Sequence, residues 1–119
     1  MIILVGCPYQ VQVSRAVGTD DTKGPYKLLR TSYGNYKIQS GTISGRDWYK
    51  KDYHAIWYHG RKGQWIVGDV ENKGSDKGFF YTDDDDDCPH QPAYTWKYYV
   101  SAIDSWINAD KSMSIWSAS

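Results

Sequence analysis

A chain of 119 residues has the length of one ordinary domain, and it can bury a core without help from structural metals. Its 14 basic residues balance its 14 acidic residues, which argues against nucleic acid as the main partner because phosphate binding needs a basic excess. No apolar run is long enough to span a membrane, so we expect no membrane insertion.

Short runs rich in Val, Ile, Tyr and Trp, bounded by Gly, Asp, Asn or Ser, predict a succession of strands. These runs lie at residues 2–5, 10–14, 26–29, 35–39, 47–51, 53–59, 64–70, 78–82, 95–100 and 112–117. Turns at 44–45 and 60–63 are expected to close hairpins, since their glycines allow the positive φ that such turns need. Polar loops are expected at 16–25 and 71–78, and residues 101–107 are the one segment considered for helix.

The strand spacing and the lack of crossover helices indicate an all-β fold with antiparallel pairing. We expect a small antiparallel barrel or sandwich built from a meander, with at most one short helix near 101–107. Residues 32–82 contain the most regular part of that meander. No linker divides the sequence, so residues 1–119 are predicted to form a single domain.

Aromatic residues supply most of the predicted core. Aliphatic residues are scarce, whereas the chain has six Trp and eleven Tyr, and each buried ring removes a large area from water. The rings expected to point inward are Tyr36, Trp57, Trp65, Phe80 and Trp96.

Several neighbours of these core rings are aromatic too, and alternation along a strand points them outward. Such rings are either covered by loops or presented to a partner. With a nearby arginine, they form the predicted ligand-binding set: Trp48, Tyr58, Tyr98 and Arg46.

Two cysteines, Cys7 and Cys88, are candidates for one disulfide. Each precedes a proline, which favours extended backbone at both positions. A bond between them would close a long loop and stabilise the fold by roughly 4 kcal/mol on the entropic model. The alternative is two free thiols, and the sequence leaves both open.

The stretch "TDDDDDCPH", residues 82–90, contains five consecutive aspartates. In an extended chain Asp83, Asp85 and Asp87 share one side and could attract calcium weakly, although the spacing of a wrapped calcium loop is missing. The alternative is a solvated loop. We expect a mobile, exposed loop without a tight metal site, because five adjacent carboxylates cannot all be desolvated.

No catalytic pattern stands out, and we expect neither an enzyme nor a cofactor. His54 and His59 are five residues apart and face opposite ways on a regular strand, so they do not share one zinc ion. Cys88 and His90 are too close in sequence for an ordinary dyad on a strand. The single glutamate, Glu71, lies in a polar loop, and the serines lack a nucleophile-elbow pattern.

The order of the aromatic motifs resembles a poorly characterised aromatic-rich module that recurs in large multidomain eukaryotic proteins. The resemblance covers roughly residues 9–116. It is carried by Tyr36, Gly45-Arg46, Tyr49-Lys50, Trp57-Tyr58, Trp65-Ile66-Val67-Gly68, Pro89, Trp96, and Trp106 with Asp110. Trp48 departs from the pattern, which usually has a smaller residue there.

This resemblance implies a repeated, extracellular binding or adhesion unit and transfers no catalytic residues. We therefore predict a non-catalytic module that recognises a protein partner through exposed Tyr and Trp. Two alternatives stay open: a carbohydrate-binding module, and a calcium- or mineral-associated matrix domain that uses the run from Asp83 to Asp87.

Overall fold

The protein folds into β-strands. A computed structural model describes residues 6–15, 32–83, 85–90, 96–100, 105–108 and 113–118. The strands in these ranges are β1 (Gln10–Arg15), β2 (Gly34–Ile38), β3 (Tyr49–Lys51), β4 (His54–His59), β5 (Gln64–Asp69), β6 (Phe80–Thr82), β7 (Lys97–Val100), β8 (Ser105–Asn108) and β9 (Met113–Ser117). A 3-10 turn, Val70–Asn72, follows β5.

These strands form one antiparallel sheet in the order β8-β7-β6-β5-β4-β3-β2-β1-β9. Strands β1 to β7 each pair with the next strand along the chain, and β9 returns to pair with β1. The prediction of an all-β antiparallel meander is therefore confirmed.

The sheet curls into a half-barrel, because the short connection between its two edge strands could not span a flat sheet. A flat sheet of nine strands would separate its two edges by about 38 Å, given a spacing of about 4.8 Å between neighbours. The edges are β8 and β9, which follow each other in the chain. From Asn108 to Met113 the chain has five Cα–Cα steps, which span about 19 Å at most.

The concave face of the sheet holds the main core. Val11, Val13, Tyr36, Trp65 and Phe80 are fully or almost fully buried there. These side chains lie together because residues at every second position of a strand share a face of the sheet. The Trp65 ring meets its cross-strand partner Tyr58 edge-on, with ring centroids 5.5 Å apart.

A second, smaller cluster lies on the convex face. Its buried members are Ala55, Trp57 and Ile66, and the indole N–H of Trp57 donates to the carbonyl of Ser75 at 2.9 Å. The segment after β5 therefore covers this part of the sheet. It approaches closely at Gly78, where an added Cβ would lie 2.3 Å from the Cγ2 atom of Ile66.

Trp65 was predicted to be buried against Trp57 or Trp96. Trp65 is fully buried and shares the concave cluster with Trp96, whereas Trp57 belongs to the convex cluster. The register explains why, because Trp65 faces Tyr58 and Trp57 faces Ile66 across the β4–β5 pair. A one-residue offset places the two indoles on opposite sides of the sheet.

Other local predictions met different outcomes. The turns at 44–45 and 60–63 occur between paired segments, with positive φ at Gly45 and Gly63. Strand β8, Ser105–Asn108, overlaps the segment considered for helix and pairs with β7. The predicted strands at 2–5 and 26–29 lie outside the described residues.

A disulfide joins Cys7, ahead of β1, to Cys88, after β6. The two Sγ atoms are 2.02 Å apart and the two Cα atoms 5.4 Å apart. The bond links positions separated by 81 residues. Closing a loop of that size stabilises the folded chain by about 4–5 kcal/mol on the entropic model.

We expect Trp65→Ala to lower the free energy of unfolding by about 3–5 kcal/mol, because the substitution leaves a large cavity beneath Tyr58. Trp116→Ala is the matched control, since Trp116 is an exposed tryptophan. It should change stability by less than about 1 kcal/mol. Urea unfolding followed by circular dichroism measures both. Near-native stability of Trp65→Ala would contradict the proposed core.

Candidate functional site

Arg46, predicted to bind a ligand, is positioned by a tight hairpin. Ser44 and Gly45 both have positive φ, 53° and 77°, and Ile43 and Arg46 pair through two backbone hydrogen bonds. Positive φ at both central residues is the geometry of a two-residue hairpin turn, and glycine adopts it without strain. This turn directs the Arg46 side chain toward Tyr58, and its guanidinium carbon lies 3.7 Å from the centre of that ring.

The same guanidinium holds the segment that contains the aspartates. We call residues 83–90 the aspartate loop. One nitrogen of Arg46 donates to the backbone carbonyls of Asp85 and Asp86, at 2.5 and 2.7 Å. The indole N–H of Trp65 donates to the Asp86 carbonyl at 2.7 Å. The backbone of the loop is therefore attached to the concave core.

Three carboxylates of the aspartate loop reach solvent. Asp83, Asp85 and Asp87 are exposed, as predicted for a solvated run. The carboxylate of Asp83 accepts a hydrogen bond from Gln64 at 2.9 Å and lies 3.5 Å from the Lys97 ammonium. The described residues contain no group of three or more His, Cys, Asp or Glu side chains that could hold a metal ion.

The sequence-based expectation of a mobile loop overlooked these backbone contacts. It considered only carboxylates and their cationic partners, whereas Arg46 and Trp65 bind main-chain carbonyls. A main-chain carbonyl can be desolvated far more cheaply than a carboxylate. The loop backbone can therefore be held against the core while the exposed carboxylates stay in water. The mutual repulsion of the carboxylates does not prevent this arrangement.

Tyr58 is not a surface ring. It is only 7% exposed, because the concave core and the Arg46 guanidinium cover it. Trp48 is half-buried against the convex cluster, and its indole N–H donates to the Ser40 carbonyl at 3.2 Å. The Lys73 ammonium lies 5.5 Å from the centre of the Trp48 ring.

The predicted ligand-binding set therefore does not form one exposed surface. Arg46 and Tyr58 are used within the fold, and Trp48 packs against the sheet. The backbone of Tyr98 pairs with Phe80 in the sheet, but its side chain lies outside the described residues. The expected exposure of Tyr58 was wrong because both faces of β4 are covered, so alternation alone does not decide which rings reach solvent. A binding role for the four residues stays a prediction.

A small groove adjoins the convex cluster. Its volume is about 180 Å³, below the 300–1,000 Å³ of typical ligand pockets, and its lining includes Lys62, Gln64, Asp76, Gly78 and Tyr81. Lys62 and Asp76 form an ion pair at 2.9 Å, and this hydrogen bond lowers the pKa of the Asp76 carboxyl. The two charges neutralise each other, so the groove offers no activated acid or base.

A broader polar surface lies on the convex side of four neighbouring strands. We call it the open face. It is formed by outward-facing residues of β9, β1, β2 and β3, namely Trp116, Gln10, Gln12, Asn35, Lys37 and Lys50. Trp116 is 60% exposed and stands opposite Gln12, which in turn stands opposite Asn35. An indole and two amides thus form one row across three strands.

Two lysines form the neighbouring row of the open face. Lys37 stands between Gln10 and Lys50 in the sheet register. Directly opposed residues have Cβ atoms about 4.5–5.5 Å apart, so two like charges face each other at close range. Within the described ranges neither ammonium group forms an ion pair.

Trp116 was missed as a site residue, although a local signal was present. In "MSIWS" the buried Ile115 fixes the orientation of β9, so Trp116 must point to the opposite, convex side. The other large exposed apolar residues of the described chain are Tyr9, ahead of β1, and Tyr53, in the β3–β4 turn.

Comparison with known proteins gives no relative: no protein-family model matches the chain, and no curated protein or solved structure is significantly similar to it. The resemblance to an aromatic-rich repeated module therefore stays a prediction. Within the described ranges, no helix is long and apolar enough to cross a membrane.

We expect Arg46→Ala to lower the free energy of unfolding by about 2–3 kcal/mol, because two carbonyls lose a charged donor and Tyr58 loses its cover. Arg46→Lys should recover less than half of that loss, since an ammonium cannot stack flat on the ring. Arg61→Ala, at an exposed position, is the control. Denaturant unfolding measures all three, and full recovery by lysine would contradict the stacked arrangement.

Calcium should bind the aspartate loop no more tightly than about 10 µM, because its exposed carboxylates do not converge on one point. Isothermal titration calorimetry with the full chain measures the affinity. Tighter binding that disappears in the variant Asp85→Asn/Asp87→Asn would show that the run is a true calcium site.

Proposed function

We propose that this chain is a non-catalytic binding module that contacts its partner through the open face. The observation that carries the proposal is Trp116, an indole that is 60% exposed within a row of amide side chains. Tryptophan is the residue most enriched at binding hot spots, because it offers a large rigid surface and one hydrogen-bond donor.

The surroundings of Trp116 support binding more than folding. Gln12 and Asn35 are exposed, and neither side chain makes a hydrogen bond within the described part of the chain. An amide group both donates and accepts, so a row of amides can complement many polar ligands. The earlier expectation of a partner bound by Arg46 and Tyr58 loses its basis, since those side chains stabilise the fold.

A catalytic role has less support. The groove beside the convex cluster is small, and its Lys62 and Asp76 are paired with each other. A general acid or base needs a perturbed pKa and access to a bound substrate. The open face holds amides, an indole and lysines, which suits recognition of an extended ligand.

The test compares the wild-type chain with Trp116→Ala and with Tyr53→Ala. Tyr53 is 80% exposed in the β3–β4 turn, so it controls for the loss of any surface ring. Binding to an immobilised panel of glycans and extracellular-matrix proteins is measured. We expect at least one ligand whose binding falls tenfold or more in Trp116→Ala and is unchanged in Tyr53→Ala. Equal binding by all three proteins across the panel would contradict the proposal.

A further inference from the structure

We infer that the ligand of the open face is an acidic glycan, a sugar chain that carries carboxylate or sulfate groups. This inference rests on the proposed function and names the ligand class of that site. Trp116 would stack on the apolar face of one sugar ring, and Lys37 and Lys50 would bind the anionic groups of a neighbouring sugar.

The first argument is the charge of the four strands. Strands β1, β2, β3 and β9 contain no acidic residue, and two of their basic residues, Lys37 and Lys50, lie on the open face. The whole chain has a formal net charge of zero, so the local excess is a property of this region. A surface of one sign favours a ligand of the other sign.

The second argument is the opposition of Lys37 and Lys50. Like charges directly across a strand pair destabilise a sheet, and no acidic partner within the described ranges offsets this repulsion. Elsewhere Lys62 and Lys97 each lie beside an aspartate. A bound anion between Lys37 and Lys50 would turn the repulsion into two favourable interactions.

The third argument is the uncharged part of the surface. A sugar ring has an apolar face of C–H groups, which packs on an indole, and hydroxyl groups that both donate and accept. Trp116 offers the indole, and Gln10, Gln12 and Asn35 offer amides with the same dual capacity. From β9 to β3 the surface spans three strand spacings, about 14 Å, which suits a short oligosaccharide.

An acidic peptide and nucleic acid fit this surface less well. An extended peptide gains main-chain hydrogen bonds when it adds to a sheet edge, whereas the open face presents side chains of paired strands. Nucleic acid needs a longer basic track than the pair Lys37 and Lys50.

The experiment measures binding of the full chain by surface plasmon resonance. The matched probes are dextran sulfate and dextran, which share a glucose backbone and differ only in sulfate. Hyaluronate tests carboxylates, while polyglutamate and a DNA duplex test the two other acidic polymers. The variants are Trp116→Ala, Lys37→Gln/Lys50→Gln and the control Arg61→Gln/Lys77→Gln, which removes two exposed charges elsewhere.

We expect dextran sulfate or hyaluronate to bind, with affinity at least tenfold weaker in Trp116→Ala and in the Lys37/Lys50 variant. The control variant should stay within twofold of wild type. Lys50→Glu is a further variant, in which weaker binding could not be attributed to misfolding. It should raise the melting temperature without ligand, since it creates an opposite-charge pair, and still weaken binding tenfold or more.

Several results would overturn the inference while the proposed function stands. One is equal binding of dextran and dextran sulfate. Another is binding that weakens in Trp116→Ala but is unchanged in the Lys37/Lys50 variant. The third is equal or tighter binding of polyglutamate or DNA that also depends on Trp116. If Trp116→Ala changes no interaction with any probe or panel member, the proposed function fails as well.

Discussion

The β4–β5 hairpin has to be covered on both faces, and the rest of the structure depends on this requirement. Trp65 and Trp57 lie on neighbouring strands but on opposite sides of the sheet, and both are fully buried. Curling of the sheet and the aspartate loop cover Trp65, while the segment after β5 covers Trp57 through the Ser75 carbonyl. These two described segments lie around β4 to β6, whereas Gln12, Asn35, Lys37, Lys50 and Trp116, on the convex side of β1, β2, β3 and β9, are exposed.

The attachment of the aspartate loop shows how a highly charged segment can serve as cover. Its carbonyls accept hydrogen bonds from Arg46 and Trp65, and Cys88 ties its end to Cys7. The exposed carboxylates of Asp83, Asp85 and Asp87 keep their hydration, so they avoid the desolvation penalty of a buried charge. Arg46 contributes twice, because the same guanidinium that binds the loop also covers the ring of Tyr58.

Local pattern predicted the strands, the hairpin turns and the burial of Trp65, because these depend on alternation and on glycine at positive φ. It did not indicate that Arg46 covers Tyr58, or that Arg46 binds a loop about forty residues later in the chain. Contacts of that kind have no local signature. The exposure of Trp116 was accessible from the sequence through buried Ile115, but identifying the open face also required the pairing of β9 with β1.

A formal net charge of zero does not make every surface of this protein neutral. Five of the acidic residues are consecutive in the aspartate loop, whereas the four strands that carry the open face contain none. At physiological ionic strength charges are screened over about 8 Å, so a ligand responds to the residues it touches more than to the net charge. Overall neutrality therefore argues against long polyanions that need a continuous basic track, and it leaves room for a short acidic ligand held between Lys37 and Lys50.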